Sequence, residues 1–464
     1  MIPLLASQIA QIIHGEFHGE DLLITEPAVL DSRSAHQGSI FLALNGEKFD
    51  GHNFVDDAFK NGATLAIVTR KVNQRCVVVD DVTKALGDLA LHCRNVLSEL
   101  QVVAITGSQG KTTVKDLLAQ LLTTVGETVA PVGNLNNELG APLTLLQSTF
   151  NTRFCIIEMG ARHVGDIAQL CEIVRPNIGV VLRVGSAHVG EFGSREAIAR
   201  AKSEMISSLG TDGIAILGQY DEYTPKMSEL HSGRILTFGG TSKADIRATD
   251  IEMREGRPHF DLVTPAGRSA VGLRVVGIHQ VANALAVAAV GTALNLSLDL
   301  IAGSLSTAEM KSKWRMEIHE LPDLLLINDS YNASPESVES ALRTLMLFAQ
   351  ERGGEAWAFL GKMQELGASS EEDHARIGTL ASEIGIDHLV CIGAPEYAQK
   401  ISHTKTTSIH FCLDQSEALT LARELARGDV VLVKASRSEK LDLLARDIEN
   451  QWLQADIDMG NEIS

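Results

Sequence analysis

The stretch 106–113, Thr-Gly-Ser-Gln-Gly-Lys-Thr-Thr, holds residue types that bind the phosphates of a nucleotide. Gly107 and Gly110 let the backbone turn its N–H groups toward phosphate oxygens, and a helix N-terminus directly after them adds partial positive charge. Lys111 would reach the β- and γ-phosphates, and the Thr112 hydroxyl would ligate Mg²⁺. The spacing therefore predicts a phosphate-binding loop.

The elements around this loop support the prediction, although one position departs from the usual pattern. The apolar run 102–105 is typical of a buried strand and 114–118 is typical of a helix, which is the context that such a loop needs. Ile105 stands where the general pattern has its first glycine, five residues before Gly110. A turn that only caps a helix is the alternative.

Four further polar residues stand where chemistry is possible. Glu158 follows a strand-like run and could hold Mg²⁺, or it could be a solvated acid at a strand end. His188 lies on a glycine-rich segment that follows another strand-like run. It could be a metal ligand, or it could be a loop residue that forms hydrogen bonds. Lys202 has the spacing of a surface lysine on a helix. Asn283 lies in an alanine-rich helix, where a purine edge or a backbone contact could satisfy its amide.

Composition limits the class of protein. The chain has 464 residues, a formal charge of −19 and 4% aromatic residues, which argues against a nucleic acid partner. Its six cysteines are scattered without a Cys-x-x-Cys pair, as expected for free thiols in a reducing compartment. No window has the length and apolar character of a membrane span, and no basic segment with an apolar core begins the chain. We therefore expect a cytoplasmic protein.

The pattern along the chain predicts an α/β protein of three domains. These are a small α/β N-terminal domain (1–82), a central P-loop mononucleotide-binding domain (83–310) and a C-terminal Rossmann-like domain (311–464). Strands alternating with helices predict mostly parallel sheets covered on both faces, with ligands at the carboxyl ends of the strands. The main strands are expected at 39–44, 64–68, 154–157, 178–181, 213–217, 324–327, 356–360, 388–392 and 429–433, and two helices at 83–100 and 280–294.

Several motifs together resemble those of the Mur ligases, which extend the peptide of the bacterial cell-wall precursor. The resemblance covers nearly the whole chain, and the family's own phosphate loop lacks the earlier glycine. The motifs that carry it lie at 31–33, 41–52, 106–113, 133–144, 328–335 and 434–440. Within the family, Asp-Ser-Tyr-Asn-Ala-Ser-Pro at 329–335 and Lys-Ala-Ser-Arg at 434–437 resemble the branch that adds D-alanyl-D-alanine more than the MurE branch.

The resemblance implies roles for individual residues. Lys111, His188, Lys202 and Arg315 would be catalytic, and Thr112, Glu158, His188 and Lys202, the last as a carbamate, would hold Mg²⁺. ATP would bind to Gly107, Ser108, Gln109, Gly110, Lys111, Thr112, Thr113, His279, Asn283, Arg315 and Asp329. The other substrates would bind to Asp31, Ser32, Arg33, Asn45, Asn134, Asn137, Tyr331 and Asn332, the first four on the domain that holds the UDP-muramoyl end.

Four positions depart from the family pattern. Gln109 replaces a small residue, Ser334 an asparagine, Ala435 a glycine and Lys362 an aspartate. None of these changes removes a proposed metal ligand.

The activity implied is an ATP-dependent amide ligase that joins D-alanyl-D-alanine to UDP-N-acetylmuramoyl-tripeptide through an acyl phosphate, giving a peptidoglycan precursor. ATP and Mg²⁺ would be required, no nucleic acid or membrane partner is implied, and a monomer is expected. The alternatives are a MurE-type ligase, a folylpolyglutamate synthetase, a nucleotide-dependent switch and an inactive cell-wall scaffold. The Asp31 and Asp329 segments disfavour the synthetase.

Overall fold

The computed structural model describes residues 1–46, 49–131, 133, 135–187, 189–401 and 407–462. His188 and Asn134, two of the predicted site residues, lie outside these ranges. None of the helices in the described ranges combines the length and the apolar character needed to cross a bilayer.

The N-terminal part contains a mixed sheet of five short strands in the order β2-β7-β6-β5-β4, beside a two-stranded pair of β1 and β3. Its strands are β1 (Leu4–Leu5), β2 (Glu16–His18), β3 (Leu23–Ile24), β4 (Ala28–Val29), β5 (Ile40–Leu42), β6 (Leu65–Val68) and β7 (Cys76–Val78), and its helices are α1 (Ala6–Ile12), α2 (Val55–Lys60) and α3 (Val82–Val96). Asp81 caps α3 by accepting hydrogen bonds from the N–H groups of Thr83 and Lys84.

A parallel six-stranded sheet, β13-β12-β11-β8-β10-β9, forms the centre of the molecule. Its strands are β8 (Gln101–Thr106), β9 (Thr128–Val129), β10 (Phe154–Glu158), β11 (Ile178–Val181), β12 (Ile214–Gly218) and β13 (Arg234–Phe238), and its helices are α4 (Lys111–Thr123), α5 (Gly140–Leu145), α6 (Asp166–Val174), α7 (Val189–Phe192) and α8 (Arg195–Ser207). Val103 and Ile105 pack into one apolar core, and Val102 and Ala104 pack into another on the opposite face. The predicted sheet with both faces covered is confirmed.

An antiparallel sheet that sequence analysis missed follows the central sheet. Its strands are β14 (Arg247–Arg254), β15 (Arg257–Thr264) and β16 (Gly267–Gly272), and the helices after it are α9 (Gln280–Ala293) and α10 (Leu298–Thr307). A two-residue turn, Glu255-Gly256, with φ of 49° and 68°, joins β14 to β15. Residues at left-handed φ in a two-residue loop are a hairpin signal. The alternation of Phe260 and Leu262 with His259 and Asp261 was the signal available in the sequence, and burial along β15 alternates in the same way.

The C-terminal sheet has the order β17-β18-β22-β19-β20-β21, with β17 antiparallel to parallel neighbours. Its strands are β17 (Glu317–Leu321), β18 (Leu324–Asn328), β19 (Ala356–Leu360), β20 (His388–Ile392), β21 (Ser408–Cys412) and β22 (Val430–Lys434), and its helices are α11 (Pro335–Arg352), α12 (Ser370–Ile384), α13 (Gln415–Leu421) and α14 (Leu441–Glu462). Every strand that the sequence predicted is present with ends shifted by at most two residues, whereas α3 ends about four residues before its predicted end.

Candidate active site

The phosphate loop lies between β8 and α4, as its sequence predicts. Gly107 and Gly110 have φ of 156° and 85°. A Cβ added to Gly110 would lie 2.4 Å from Oδ1 of Asn283, so the close approach of α9 requires glycine there. The Lys111 ammonium donates a hydrogen bond to the Gly107 carbonyl oxygen at 2.8 Å. Burial lowers the pKa of Lys111, against the opposing effect of the Glu158 charge.

Glu158 ends β10 directly beside the loop, because it is paired with Ile105 in the parallel register. Its carboxylate is 2% exposed. One oxygen accepts the Thr112 hydroxyl at 2.9 Å and the other accepts Nδ2 of Asn136 at 2.9 Å. The charge of Lys111 interacts with this carboxylate. Hydroxyl and carboxylate oxygens are ligands for a hard divalent cation, so the adjacent oxygens of Thr112 and Glu158 fit such an ion.

Lys202 on α8 is buried, with 4% of its surface exposed, and it lines the cavity that contains Lys111. Its helical spacing had indicated a surface lysine, which is wrong. Burial, and secondarily the charge of Lys111, lowers its pKa to about 7. A large share of its amine is consequently neutral near neutral pH, which is the form that captures CO₂.

An apolar cavity of about 340 Å³ adjoins Gln109 and Gly110 of the loop and is lined by residues of α9, β13 and β14. Asn283 and His279 line it together with Tyr220 and Phe238. Nδ2 of Asn283 donates to Oε1 of Gln280 at 2.8 Å, and Nδ1 of His279 is buried without a partner. Burial lowers the His279 pKa to about 4, so the ring is neutral. An apolar cavity lined in part by neutral polar groups suits a purine.

The C-terminal part contributes Arg315 to the phosphate loop. Its Nη2 donates to the Thr112 hydroxyl at 2.9 Å, and its guanidinium carbon lies 4.0 Å from the ring centre of Tyr331. Nε of Arg315 is buried without a partner. A guanidinium held in this way can still donate to an anion beside Thr112.

Asp329 lies at the end of β18 and is held by a lysine on the neighbouring strand. Its Oδ2 accepts from Nζ of Lys434 at 2.5 Å, and its Oδ1 accepts from the N–H of Met316 at 3.1 Å. Nζ of Lys434 also donates to the carbonyl oxygen of Asn332 at 2.9 Å. This network fixes the end of β18 at the cavity.

A cavity of about 790 Å³ brings most of the predicted residues together from both large sheets. The predicted site residues that line it are Ser108, Gln109, Gly110, Lys111, Thr112, Thr113, Asn137, Glu158, Lys202, His279, Asn283, Arg315, Asp329, Tyr331 and Asn332. The Gly107 carbonyl oxygen accepts a hydrogen bond from the ammonium of Lys111, which lines the cavity. In the described ranges, no group of three His, Cys, Asp or Glu side chains is placed to hold a metal.

The predicted residues of the N-terminal part do not line this cavity. Asp31 and Arg33 form an exposed ion pair at 2.6 Å next to Ser32, and Asn45 forms an isolated bridge with Asp50. The structure therefore does not bring these four predicted residues to the phosphate loop.

Three residues without an assigned role in the sequence analysis also belong to the cavity. Asn136 binds Glu158, Lys434 binds Asp329, and Arg437 lies over the Trp314 ring at 4.2 Å. A lysine at the end of an otherwise apolar strand was an available signal for Lys434, which is 2% exposed. Asn136 lies in the motif 133–144, which drew attention to this segment, but its contact with Glu158 did not follow from the sequence.

Comparisons with known proteins identify the family models and relatives that this chain matches. Three family models match: the Mur ligase family catalytic domain over 29–96, the Mur ligase middle domain over 105–291 and the Mur ligase glutamate ligase domain over 314–437. A relative from Mycobacterium tuberculosis, named UDP-N-acetylmuramoyl-tripeptide–D-alanyl-D-alanine ligase, is 36% identical and is matched over 96% of this chain and 97% of its own length.

Two solved structures share the fold over almost the whole chain. MurF from Acinetobacter baumannii has a TM-score of 0.88 at 35% identity, covering 97% of this chain and 99% of that one. MurF from Thermotoga maritima in complex with ADP has a TM-score of 0.79 at 31% identity, covering 92% and 99%. By sequence and by structure, the chain belongs to the Mur ligase family.

Proposed function

We propose that this chain is the ATP-dependent ligase that joins D-alanyl-D-alanine to UDP-N-acetylmuramoyl-tripeptide, which gives the pentapeptide precursor of peptidoglycan. Relatives that are 31–36% identical to this chain and match it over almost its whole length carry that name. The observation that carries the chemistry is the meeting of Lys111, Glu158 and Lys202 with Arg315 around one cavity.

In the first step a carboxylate oxygen of the tripeptide attacks the γ-phosphorus of ATP. The bond from that phosphorus to the bridging oxygen breaks, ADP leaves, and an acyl phosphate forms. Both reactants are anions, so positive charge must surround them. Lys111 and Arg315 supply that charge, since both line the cavity and the Arg315 guanidinium lies at Thr112.

In the second step the dipeptide nitrogen attacks the acyl carbon. The carbon–oxygen bond to phosphate breaks, phosphate leaves, and the nitrogen loses a proton to give the amide. Water would hydrolyse the acyl phosphate, so the site must exclude it. Contacts between the phosphate loop and the C-terminal part serve this purpose, including those of Arg315 and Gln109.

We assign Mg²⁺ to Thr112 and Glu158, with His188 and carbamylated Lys202 for a second ion. When bound, the metal supplies positive charge that neutralises phosphate oxygens. Lys202 is suited to carbamylation because burial lowers its pKa to about 7, so that a large share of the amine is neutral near that pH. Asn136 keeps the Glu158 carboxylate oriented toward Thr112.

We divide the chain into a UDP-muramoyl-binding part (1–82), an ATP-binding part (83–310) and a part for the dipeptide and closure over ATP (311–464). Asp31, Ser32, Arg33 and Asn45 lie on the first part, where a long substrate could reach them while its carboxylate lies at the cavity. Asn134, Asn137, Tyr331 and Asn332 would bind the peptide ends. His279 and Asn283 would contact adenine, and Asp329 would contact ribose. We also propose a monomer in the cytoplasm, where buried free thiols stay reduced.

The test is phosphate release from ATP with UDP-N-acetylmuramoyl-tripeptide, with and without D-alanyl-D-alanine. Release that depends on the dipeptide, with a product heavier by that dipeptide less one water, is expected. Omission of Mg²⁺ and the Lys111→Ala variant are the controls. Release that requires a different amine would point to another ligase specificity. ADP binding without any amine-dependent turnover would favour a nucleotide-dependent switch.

A further inference from the structure

Three polar side chains along one face of α4, Thr112, Asp116 and Gln120, each bind the segment 308–316 that joins α10 to β17. A spacing of four residues places side chains in a row along a helix. Their partners follow in the opposite order along the segment, three residues apart. The segment therefore runs antiparallel to α4 and is attached to it at three levels.

Gln120 and Asp116 form hydrogen bonds with backbone groups of the segment. Nε2 of Gln120 donates to the Glu309 carbonyl oxygen at 2.8 Å, and Oε1 of Gln120 accepts from the Glu309 N–H at 3.1 Å. Oδ2 of Asp116 accepts from the Ser312 N–H at 2.9 Å. Contacts to backbone groups fix the position of the chain itself, whatever side chains it carries.

Asp116 is a buried charge that the proposed chemistry does not use. It is 5% exposed, and its second oxygen lies 2.7 Å from Nζ of Lys115, which is also buried. Lys115 is held in turn by the Pro131 carbonyl oxygen at 3.2 Å. A buried carboxylate retained in this way needs hydrogen-bonded partners, and the Ser312 N–H is one of them.

The segment could be aligned with α4 in more than one register. Four residues of α4 rise by about 6 Å, whereas three residues of extended chain reach up to roughly 10 Å. Each interval between two attachments therefore contains slack, and chain length alone does not place Arg315 at Thr112. The hydrogen bonds to Asp116 and Gln120 select one register from several that the chain could reach.

Arg315 itself stands between two residues in the left-handed region. Trp314 and Met316 have φ of 60° and 50°. Such conformations are unfavourable for residues other than glycine and persist only where surrounding contacts impose them. Two hydrogen bonds attach these residues to the end of β18 and the residues after it. The Met316 N–H donates to Asp329, and the Tyr331 N–H donates to the Trp314 carbonyl oxygen.

We propose that Asp116 and Gln120 are positioning residues, which hold the segment 308–316 in one register along α4 and so place the Arg315 guanidinium at the Thr112 hydroxyl. The kinetic part of this proposal rests on the proposed function, which assigns Arg315 to the phosphates. The structural part does not depend on that function.

The structural part is tested by hydrogen exchange of the peptide covering 308–316 in the full-length protein. Gln120→Met keeps the length and helix propensity of the side chain and removes both hydrogen bonds. We expect faster exchange in 308–316, while the matched change Gln350→Met, at an exposed position on α11, leaves this peptide unchanged. Unchanged exchange in Gln120→Met would overturn the proposal.

The kinetic part is tested by a double-mutant cycle of Gln120→Met and Arg315→Ala. Gln120→Met alone should lower kcat by about 3- to 10-fold with little change in KM, because a contact made in the transition state is weakened. In the Arg315→Ala background it should have no further effect.

The outcomes separate the two proposals. If Arg315→Ala turns over as fast as the wild type, the assignment of Arg315 to the phosphates fails, and exchange in 308–316 still decides the register. If Arg315→Ala is slow and Gln120→Met lowers kcat equally in both backgrounds, Gln120 does not act through Arg315. That second result would overturn the positioning role and leave the proposed function intact.

Discussion

Gln109 of the phosphate loop donates a hydrogen bond from Nε2 to Oε2 of Glu336, at the start of α11, at 3.3 Å. The same Nε2 lies 3.2 Å from Oγ of Ser334. The other oxygen of Glu336 accepts from the N–H and the hydroxyl of Ser186 at 2.9 and 2.8 Å. Two positions that depart from the family pattern, 109 and 334, are therefore in contact across the cavity.

Because these two positions are in contact, a substitution at one should partly compensate for a substitution at the other. Gln109→Ser should raise the KM for ATP by about 2- to 10-fold, because the loop loses two hydrogen bonds to the start of α11, one to the Ser334 hydroxyl and one to the Glu336 carboxylate. Adding Ser334→Asn places an amide side chain at position 334, from which it can reach toward the loop. This second substitution should recover part of the lost ATP affinity. Steady-state kinetics of the two single variants and the double variant provide the measurement. Additive losses would show that the positions act independently.

Loss of the loop lysine should stop the reaction. Lys111→Ala removes the charge beside the β- and γ-phosphates, and we expect phosphate release to fall by at least about 10²-fold. Lys84→Ala, which removes an exposed lysine paired with Asp88 on α3, is the control and should change little. Activity of Lys111→Ala near that of the wild type would contradict the assignment of the loop.

Carbamylation of Lys202 should depend on pH. Because its pKa is lowered to about 7, its amine is mostly neutral above that pH and mostly charged below it. With ¹³C-labelled bicarbonate, a carbamate signal in the NMR spectrum should grow as pH rises through 7 and should be absent in Lys202→Arg. A signal of equal size in that variant would assign the carbamate to another group.

Activity of the same site gives an independent prediction. Lys202→Ala should lose turnover because no carboxylate-like group remains to orient the cation, and a short-chain carboxylate such as acetate should restore part of it. Phosphate release with increasing acetate is the measurement, with chloride at equal ionic strength as the control. Recovery with chloride as well would indicate a salt effect instead of replacement of the carbamate.

His279 predicts a loss of stability in acid. Its pKa is lowered from 6.5 to about 4, so between these values the unfolded chain binds a proton that the folded protein does not. Its contribution to stability is complete above pH 6.5 and is lost as the pH falls toward 4. Urea unfolding of the wild type and of His279→Gln over this range measures the difference. Parallel curves would contradict the burial of a neutral ring.

Much of the fold could be predicted because its signals are local. The strands β10, β11, β19 and β20 appear as short apolar runs, and the phosphate loop appears as a spacing of glycine, lysine and threonine between a strand and a helix. The antiparallel sheet of β14 to β16 was missed because its alternating pattern was not separated from the helix-and-strand alternation around it. The alternation of apolar and polar residues at 259–262 was the local signal for it.

The site could be predicted only in part. Residues directly attached to the loop or to a strand end, such as Lys111 and Glu158, follow from sequence, because in a parallel sheet strand ends meet at one edge. The burial of Lys202 did not follow from its spacing, since it depends on what packs against α8. Resemblance to a family suggested its role, and tertiary packing provides the low pKa on which that role depends.

Local sequence thus establishes a nucleotide-binding α/β protein and the residues that can contact phosphate. It does not establish which distant groups meet there. Gln109 with Glu336, Thr112 with Arg315 and Asp116 with Ser312 are separated by about two hundred residues. Their contacts depend on how α4 and α11 pack and on the left-handed backbone beside Arg315, because slack in the segment 308–316 allows several registers and hydrogen bonds between packed elements select one.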